Sequence, residues 1–369
     1  MEQLNIGVMG CLPQLPNEFP IAYPENSGNM VHANAPFRLY KNSIFIKNEI
    51  YKAFGYPNFA TFVNERCSHL VITLANTLKL GDEDGLKYSK MLDFLKKIEK
   101  PIVVFGLGIQ AKNLKNGEEP KLPSSAIDLL RLLSQKSKLL GVRGHSTKKI
   151  IEELALINNV HVTGCPSIFS DIKSTYNVSN NLKENRGRPA FSGTKFFEKE
   201  EGQLLKSSIQ SDHWLIEPVN KFNHEFYLEA SVGEESYEKF PYFLKKYFGK
   251  DSLGDVANYY VRRYKLFRNI TDWYQFNRDF VSYSYGSRFH VNMATLISGK
   301  PAVWITHDER TRELTDFMKL PSVSLEDVHD KYFEENVKIG LYDEFLDNFP
   351  KLVNNFNYYL EANGLPPVV

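Results

Sequence analysis

The sequence has 369 residues, enough for about two domains, and its 45 Lys and Arg residues balance 44 Asp and Glu residues to a net charge of +1. Such a chain has no overall field to attract nucleic acid or an anionic membrane, so any anionic ligand needs a local site. Three widely spaced cysteines argue against a disulfide framework or a zinc site. The lack of an apolar run of about 18 residues predicts a cytoplasmic protein, with any membrane contact peripheral at the inner face of the plasma membrane.

The first half of the sequence alternates strands and helices. It opens with a predicted edge strand at residues 4–9 and a loop to Pro36. Further strands are predicted at 70–74, 101–105, 139–143 and 160–163, and helices at 85–97, 124–133 and 146–156, the last capped by Ser146. Strands that alternate with helices in this way predict parallel βαβ units with right-handed crossovers. The fold class is therefore α/β, with a doubly wound sheet.

Polar residues directly follow several of these strands. Gln110, Arg143 and the Gly-Cys-Pro-Ser turn at 164–167 fall at the carboxyl ends of strands, where open α/β sheets bind ligands. A guanidinium after the apolar strand Leu-Leu-Gly-Val is costly to desolvate unless an anion or a carboxylate meets it. Arg143 is therefore a candidate anion ligand, with a salt bridge to Glu152 or Glu153 as the alternative. Gln110 is a candidate substrate contact or a backbone clamp.

A further candidate contact for an anion lies in the N-terminal loop. Residues 26–30 read Asn-Ser-Gly-Asn-Met. Gly28 beside Asn29 permits a tight turn whose exposed N–H groups an anion can approach. An ordinary turn without a ligand is the alternative.

A polar stretch at 173–189 is the predicted interdomain linker. After it, helices are predicted at 198–208, 237–248 and 271–277, and strands at 213–217 and 259–267. A long helix at 341–361, kinked or restarted at Pro350, carries an apolar stripe that should pack back over the domains. The predicted boundaries are 1–175 for an N-terminal Rossmann-like domain, 176–340 for a C-terminal one and 341–369 for the last helix.

The stretch 280–318 reads as a strand, helix, strand, helix unit. Its strands are predicted at 280–285 and 302–306 and its helices at 290–298 and 308–318, with Gly299 ending the first helix. One more short strand follows Pro321. This unit is expected to form the ligand-binding edge of the C-terminal domain.

Four residues occupy the first turn of this unit: Ser287, Arg288, Phe289 and His290. They fall between a strand and its helix, where free N–H groups and the helix dipole favour an anion. Arginine binds phosphate or carboxylate in a fork, and histidine moves protons near neutral pH. The alternative is that Arg288 pairs with a local carboxylate and His290 only caps the helix.

Arg310 lies in the first turn of the helix at 308–318, where a cation is unfavourable by about 0.3 to 1 kcal/mol. A bound anion would offset this cost, and so would Glu309 or Asp316, which lie three and four positions from Arg312, so local pairing is expected for Arg312. Arg310 is thus a candidate phosphate ligand. No set of histidines and carboxylates shows metal-ligand spacing, so we expect neither a metal nor a cofactor.

Three segments together carry a family resemblance: GVRGHSTKKI at 141–150, VHVTGCPSIF at 160–169 and GSRFHVNMATLISGKPAVWITHDERTRELTDF at 286–317. They resemble the polysaccharide pyruvyl transferase family, over most of the chain between Asn26 and Val323. The resemblance implies two Rossmann-like domains facing a central cleft, the GT-B-like arrangement. It also implies transfer of a pyruvyl group from phosphoenolpyruvate to a sugar as a cyclic ketal, with His290 as the catalytic histidine and Arg143 as a donor-binding arginine.

The sequence departs from the family pattern at two positions. The family commonly has Gly-Asn-x-Gly-Asp near its start, whereas residues 28–32 read Gly-Asn-Met-Val-His. It often has Gly-Asp-Pro where residues 164–166 read Gly-Cys-Pro. Either change indicates a different acceptor or a separate subfamily.

Phosphoenolpyruvate carries a carboxylate and a phosphate, so two cationic anchors are expected, Arg143 from one domain and Arg288 from the other. His290 is the expected general acid or base. The other expected partner is a saccharide acceptor, which is lipid-linked, nucleotide-linked or polymeric. Two alternatives are a nucleotide-sugar-dependent glycosyltransferase of the GT-B type and an inactive sugar-binding or scaffold homologue.

Overall fold

Two Rossmann-like α/β domains face a central cleft, in the GT-B-like arrangement that the resemblance implies. The computed structural model describes residues 5–16, 26–81, 85–111, 120–178, 186–329, 332–338 and 340–368. One set of parallel strands comes from residues 6–162 and the other from residues 188–324. Residues 179–185 of the predicted linker lie outside the described residues.

The N-terminal domain is built on short apolar strands, most of whose described side chains are buried. These are β1 Ile6–Gly10, β2 Ser43–Phe45, β3 His69–Thr73, β4 Leu78–Leu80, β5 Ile102–Phe105, β6 Ile109–Ala111, β7 Leu140–Val142 and β8 Val160–Val162. Four pair in parallel in the order β2-β1-β3-β5, and a bridge from Leu107 to Val142 brings the β7-β8 pair alongside. The strand predicted at 4–9 is present as β1, but its predicted edge position is wrong, because β2, which was not predicted, pairs with its other side.

The helices of this domain are α1 Gly28–Ala33, α2 Ala35–Leu39, α3 Ile50–Ala53, α4 Phe59–Arg66, α5 Leu86–Leu95, α6 Ser124–Lys136, α7 His145–Ala155 and α8 Ile172–Tyr176, with 3-10 turns at Ile46–Asn48 and Pro166–Asp171. The predicted loop through residues 26–36 instead contains α1, which buries Met30 and Val31. The predicted cap Ser146 is also corrected, since α7 begins at His145 after Gly144.

The C-terminal domain contains one six-stranded parallel sheet. Its strands are β9 Arg188–Ser192, β10 Trp214–Ile216, β11 Tyr264–Lys265, β12 Val281–Gly286, β13 Ala302–Thr306 and β14 Ser322–Ser324, in the order β11-β10-β9-β12-β13-β14. Its helices are α9 Lys199–Gln210, α10 Lys221–Val232, α11 Leu253–Arg263, α12 Ile270–Phe280, α13 Phe289–Ile297, α14 Glu309–Met318 and α15 Tyr332–Asn336, with 3-10 turns at Leu244–Lys246 and Lys250–Ser252. The predicted strand, helix, strand, helix unit is confirmed.

Two predictions in this domain are wrong. The helix predicted at 237–248 reduces to a single 3-10 turn, because Pro241 lacks the N–H that a helix interior needs. The strand predicted at 259–267 is mostly the end of α11. Val256, Tyr259 and Tyr260 recur at helical spacing on its buried face, and the basic residues of its last turn favour the helix dipole.

The last helix, α16 Asp343–Ala362, packs back over the N-terminal domain, as predicted, and contains Pro350. Its Tyr359 hydroxyl donates to the Val104 carbonyl at 2.7 Å, and Asn363 donates to the Leu139 carbonyl at 3.1 Å. None of the described helices has both the length and the apolar character needed to cross a membrane.

Candidate active site

A cavity of about 100 Å³ opens between the two domains. Every predicted site residue except Gln110 lines it: Gly28, Asn29, Arg143, Ser287, Arg288, Phe289, His290 and Arg310. Asn76, Thr194 and Thr311 line it as well, and the sequence analysis did not identify them. The cavity therefore joins the carboxyl-end turns of two separate sheets.

Gln110 is a correction to the predicted site. The chain turns at Gly106, which has a φ of +67°, and then forms β6. Gln110 lies opposite Lys79 in the separate β4-β6 pair. The turn carries Gln110 past the end of β5, so its place after a strand in the sequence does not bring it to the cavity.

Arg143 is the residue of this site with the most unmet hydrogen-bonding capacity. Its side chain is buried, with 2% of its surface exposed, and its Nη1 donates to Asn76 Oδ1 at 2.8 Å. Its Nε and Nη2 have no partner among the described residues. The alternative of a salt bridge to Glu152 or Glu153 is not what the structure shows, because these glutamates pair with Lys148 and Lys149.

The surroundings of Arg143 are unfavourable for its charge. Burial lowers the pKa of the guanidinium, and the positive charge of Arg310 lowers it further. A buried charge of this kind is stable only with hydrogen-bonding partners of opposite charge. The two unpartnered nitrogens therefore make an anion the natural ligand of this wall of the cavity.

Arg288 is held by its own domain. Its Nε donates to the Gly193 carbonyl at 2.8 Å, and its Nη2 lies 3.7 Å from Glu217 Oε1. Glu217 is buried and accepts hydrogen bonds from the Val219 and Asn220 amides. The local carboxylate foreseen as an alternative partner is thus present, although Arg288 also lines the cavity.

Three side chains form a hydrogen-bonded chain at the edge of the cavity. Ser287 Oγ lies 2.8 Å from Thr194 Oγ1 and contacts Glu201 Oε1. Because an ionised carboxylate only accepts and Ser287 has one hydroxyl proton, Ser287 donates to Glu201 and Thr194 donates to Ser287. Glu201 is fully buried, so these hydrogen bonds link the cavity to an internal carboxylate.

His290 occupies the first turn of α13 and faces both domains. The cap residue of this helix is Arg288, with no side-chain cap, so His290 is not the helix cap. Burial lowers the pKa of His290 well below its ordinary value, and the charges of Arg143 and Arg310 add to the effect. The imidazole is therefore uncharged at neutral pH and able to accept a proton.

Arg310 is partly paired. Its Nη2 lies 3.1 Å from Asp308 Oδ2, while Asp308 Oδ1 caps α14 by accepting from the Thr311 amide at 2.8 Å. Burial raises the pKa of Asp308, but Arg310 and the hydrogen bonds of Thr311 lower it more, so it falls below its ordinary value. Glu309 faces Arg312 at 3.6 Å, which is the local pairing expected for Arg312.

The two departures from the family pattern meet behind His290. Cys165 Sγ lies 3.6 Å from His290 Nε2 and 3.9 Å from His32 Nδ1. Burial, followed by the charge of Arg143, lowers the pKa of His32 to about 3, against a backbone hydrogen bond with Phe105 that raises it. The sequence showed both residues but gave no sign that they are neighbours, since they are far apart along the chain.

Comparison with solved structures gives matches of low identity along the full length. S. aureus MnaA in complex with UDP is 13% identical with a TM-score of 0.46, covering 99% of both chains. A UDP-N-acetylglucosamine 2-epimerase is 10% identical with a TM-score of 0.47 and full coverage of both chains. A variant of the wall teichoic acid polymerase TagF is 12% identical with a TM-score of 0.41, covering 98% of this chain and 90% of that chain.

No curated protein matches the sequence significantly. The family described as polysaccharide pyruvyl transferase matches residues 16–309, which include residues of both walls of the cavity and the turn from Ser287 to His290. The chain belongs to the polysaccharide pyruvyl transferase family.

Proposed function

We propose that this protein transfers the pyruvyl group of phosphoenolpyruvate to two hydroxyls of a sugar, forming a cyclic ketal and releasing phosphate. The observation that carries the proposal is the buried Arg143, whose Nε and Nη2 are unpartnered in a cavity shared with Arg288 and His290 of the other domain. A small ligand with two separate anionic groups would complete the hydrogen bonds of Arg143 and contact the cations of the other wall at the same time.

The size of the cavity suits such a donor. A single water molecule needs roughly 10 to 15 Å³ of the space in which a water-sized probe fits. A cavity of about 100 Å³ therefore has room for a three-carbon phosphate ester. Arg143 is placed to bind one anionic group in a fork, and Arg288 with Arg310 the other.

Ketal formation requires a balanced set of proton transfers. C3 of the enol gains one proton, each attacking sugar hydroxyl loses one, and the bond from C2 to the phosphate oxygen breaks; the second hydroxyl proton leaves with phosphate. The negative donor offsets the charges of Arg143 and Arg310 that lower the pKa of His290. Binding therefore favours the imidazolium form, which donates to C3.

The attacking hydroxyl needs a separate proton acceptor. Thr194 lines the cavity, and its hydrogen bond through Ser287 leads to the carboxylate of Glu201. These hydrogen bonds supply a route by which the hydroxyl proton leaves the sugar while His290 protonates C3. The acceptor is then a saccharide with two neighbouring hydroxyls, as lipid-linked, nucleotide-linked and polymeric precursors all provide.

The test is turnover of phosphoenolpyruvate with a panel of saccharide acceptors, followed by the mass of the product. His290→Ala should lower kcat by about 10² to 10⁴ fold and leave the free energy of unfolding unchanged. His329 is exposed, and His329→Ala should leave kcat unchanged. Retention of more than about a tenth of the activity would remove His290 from the acid–base role. The same assay on Glu201→Gln tests the hydrogen bonds from Thr194 through Ser287 to Glu201 separately from the role of His290.

Donor binding is measured independently of turnover. Phosphoenolpyruvate should raise the melting temperature of the wild type, because a ligand that binds only the native state stabilises it. Arg143→Met should abolish this shift. A shift produced by a uridine nucleotide and not by phosphoenolpyruvate would favour the glycosyltransferase alternative.

A further inference from the structure

The side chains of His32, Cys165 and His290 converge on one point next to the cavity. The donor atoms of the three residues all lie within 4.8 Å of one another, and Cys165 Sγ is 3.6 Å from His290 Nε2 and 3.9 Å from His32 Nδ1. Cys165 and His32 are fully buried. We propose that these three residues form a binding site for one thiophilic d¹⁰ cation, Zn²⁺ or Cu⁺.

The spacing suits such an ion. Zinc binds cysteine sulfur at about 2.3 Å and histidine nitrogen at about 2.0 to 2.1 Å, so donor atoms around a tetrahedral ion lie about 3.3 to 3.6 Å apart. The two sulfur–nitrogen distances are within 0.3 Å of that upper value. The two imidazole nitrogens, which lie within 4.8 Å of each other, must move closer together to close on an ion.

Hydrogen bonding alone does not use the cluster well. Cys165 Sγ also lies 3.0 Å from Ser167 Oγ, so the thiol has three polar neighbours. It has a single proton and can donate to only one of them, while the others can form hydrogen bonds only by donating to the weakly accepting sulfur. A cation bound to the thiolate would instead be shared by both imidazole nitrogens, which are the ligand types that Zn²⁺ and Cu⁺ prefer.

The backbone is shaped to hold this cluster. His32 lies on α1 and His290 on α13, two helices that pack against each other, and Cys165 lies in the turn after β8. At Gly106 a Cβ atom would collide with the His32 ring, and the positive φ also favours glycine there. The ligands thus come from rigid elements, and His290, which lines the cavity, provides the path for the ion.

The charge of Arg143 decides between the two ions. A thiolate with Cu⁺ is neutral, whereas a thiolate with Zn²⁺ retains one positive charge beside the buried guanidinium. Cu⁺ should therefore bind more tightly than Zn²⁺.

Occupancy would control the proposed reaction, a consequence that rests on the proposed function. An ion on His290 Nε2 occupies one nitrogen and leaves the remaining proton on Nδ1. The imidazole can then donate a hydrogen bond but cannot accept a proton. Metal-loaded protein should consequently transfer pyruvate more slowly than metal-free protein.

The experiment is equilibrium dialysis of chelator-treated protein against Zn²⁺ and, without oxygen, against Cu⁺, with the metal content per chain measured by atomic spectroscopy. Wild type should bind one ion per chain and, when loaded with Cu⁺, show an ultraviolet thiolate-to-copper absorption. Cys165→Ser should bind the ion at least about 100-fold more weakly and should lose the absorption. Cys67→Ser, which removes a buried cysteine elsewhere in the N-terminal domain, should behave as wild type.

His32→Asn provides a second variant if Cys165→Ser misfolds, and it should weaken binding in the same way. The proposal is overturned if no ion binds at one per chain, or if binding is unchanged in both variants. Either result leaves the proposed function standing, provided that metal-free protein turns over phosphoenolpyruvate. Metal binding in a protein without turnover supports the metal site and contradicts the proposed function.

Discussion

The two walls of the cavity present their arginines in opposite ways. On the N-terminal wall, Arg143 is buried with one side-chain partner, Asn76, and two free nitrogens. On the C-terminal wall, Arg288 is anchored by a carbonyl and by a carboxylate, Glu217. The first wall therefore depends on a ligand to complete its hydrogen bonds, whereas the second is complete without one. Ligand affinity and protein stability should respond differently to changes on the two walls.

Of the two wall arginines, Arg143 is expected to show the larger effect on turnover. Arg143→Met removes the unpaired charge, so kcat/KM for phosphoenolpyruvate should fall by roughly 30-fold or more, the loss of a charged hydrogen-bonded contact of about 2 to 5 kcal/mol. The free energy of unfolding without donor should stay equal or rise, because an apolar side chain replaces a poorly satisfied buried charge. Steady-state kinetics and urea unfolding measure the two quantities.

Arg312→Met is the control for Arg143→Met. Arg312 is half-exposed and does not line the cavity, so both quantities should remain within about 0.5 kcal/mol of wild type. A large loss of stability in Arg143→Met would show that Asn76 alone satisfies the guanidinium and that no anion is required.

Compared with Arg143→Met, Arg288→Met should lower the stability of the protein more and its donor affinity less. The substitution leaves Glu217 buried beside an apolar side chain, which costs about 1 to 3 kcal/mol of stability. The hydrogen bonds that Glu217 accepts from Val219 and Asn220 place the expected loss at the lower end of this range. Donor affinity should also fall, but less than in Arg143→Met. Equal stability changes in the two variants would remove the distinction between the walls.

Acid should weaken the C-terminal domain through His213. Burial, followed by the charge of Arg188, lowers the pKa of His213 from 6.5 to about 4. Between these values the unfolded chain binds more protons than the native one, so stability is lost as the pH falls from 6.5 towards 4 and is unaffected above. The slope is at most about 1.4 kcal/mol per pH unit for this group, and partial exposure reduces it.

Urea unfolding at a series of pH values tests the contribution of His213. His213→Asn keeps an acceptor for the Tyr285 hydroxyl, 2.9 Å from His213 Nδ1, and should flatten the slope below pH 6.5. The exposed His329→Asn is the control. An unchanged slope in His213→Asn would show that other histidines cause the acid sensitivity.

Much of this arrangement could be predicted from the sequence, for a physical reason. Strands and helices follow local periodicity, and the carboxyl ends of parallel strands are where ligands bind, so Arg143 and the turn from Ser287 to His290 were assigned correctly to one cavity. The same rule predicted wrongly that Gln110 lines the cavity, because the positive-φ turn at Gly106 redirects the chain in a way that strand order does not reveal.

Residues that act through contacts across the fold could not be predicted. The sequence contained His32 and Cys165 as departures from a family pattern, but their convergence on His290 depends on the packing of α1 against α13. Thr194 and Glu201 precede Ser287 by many residues and carry no local signal of their shared hydrogen bonds. Pairings of this kind follow from tertiary structure and not from spacing.

The smallest effect is expected where the two domains meet. Glu313 on α14 accepts hydrogen bonds from the Thr147 amide at 2.9 Å and from the Thr147 hydroxyl at 3.2 Å. A carboxylate of the C-terminal domain thus caps the N-terminus of α7, the role that the sequence analysis assigned to Ser146. The capped turn follows Arg143 directly, so this contact links the positions of the two walls.

Glu313→Gln keeps the shape of the side chain and removes its charge, so stability should fall by about 0.3 to 1 kcal/mol, less at high salt. A Cβ at Gly144 would collide with the Glu313 side chain, so Gly144→Ala should displace the carboxylate. If Gly144→Ala already breaks the contact, the double variant with Glu313→Gln should be no less stable than Gly144→Ala alone. The stability changes of residues in direct contact are not additive. Glu309→Gln on the same helix is the control, and additive losses at Glu313 and Gly144 would show that the glutamate does not cap α7.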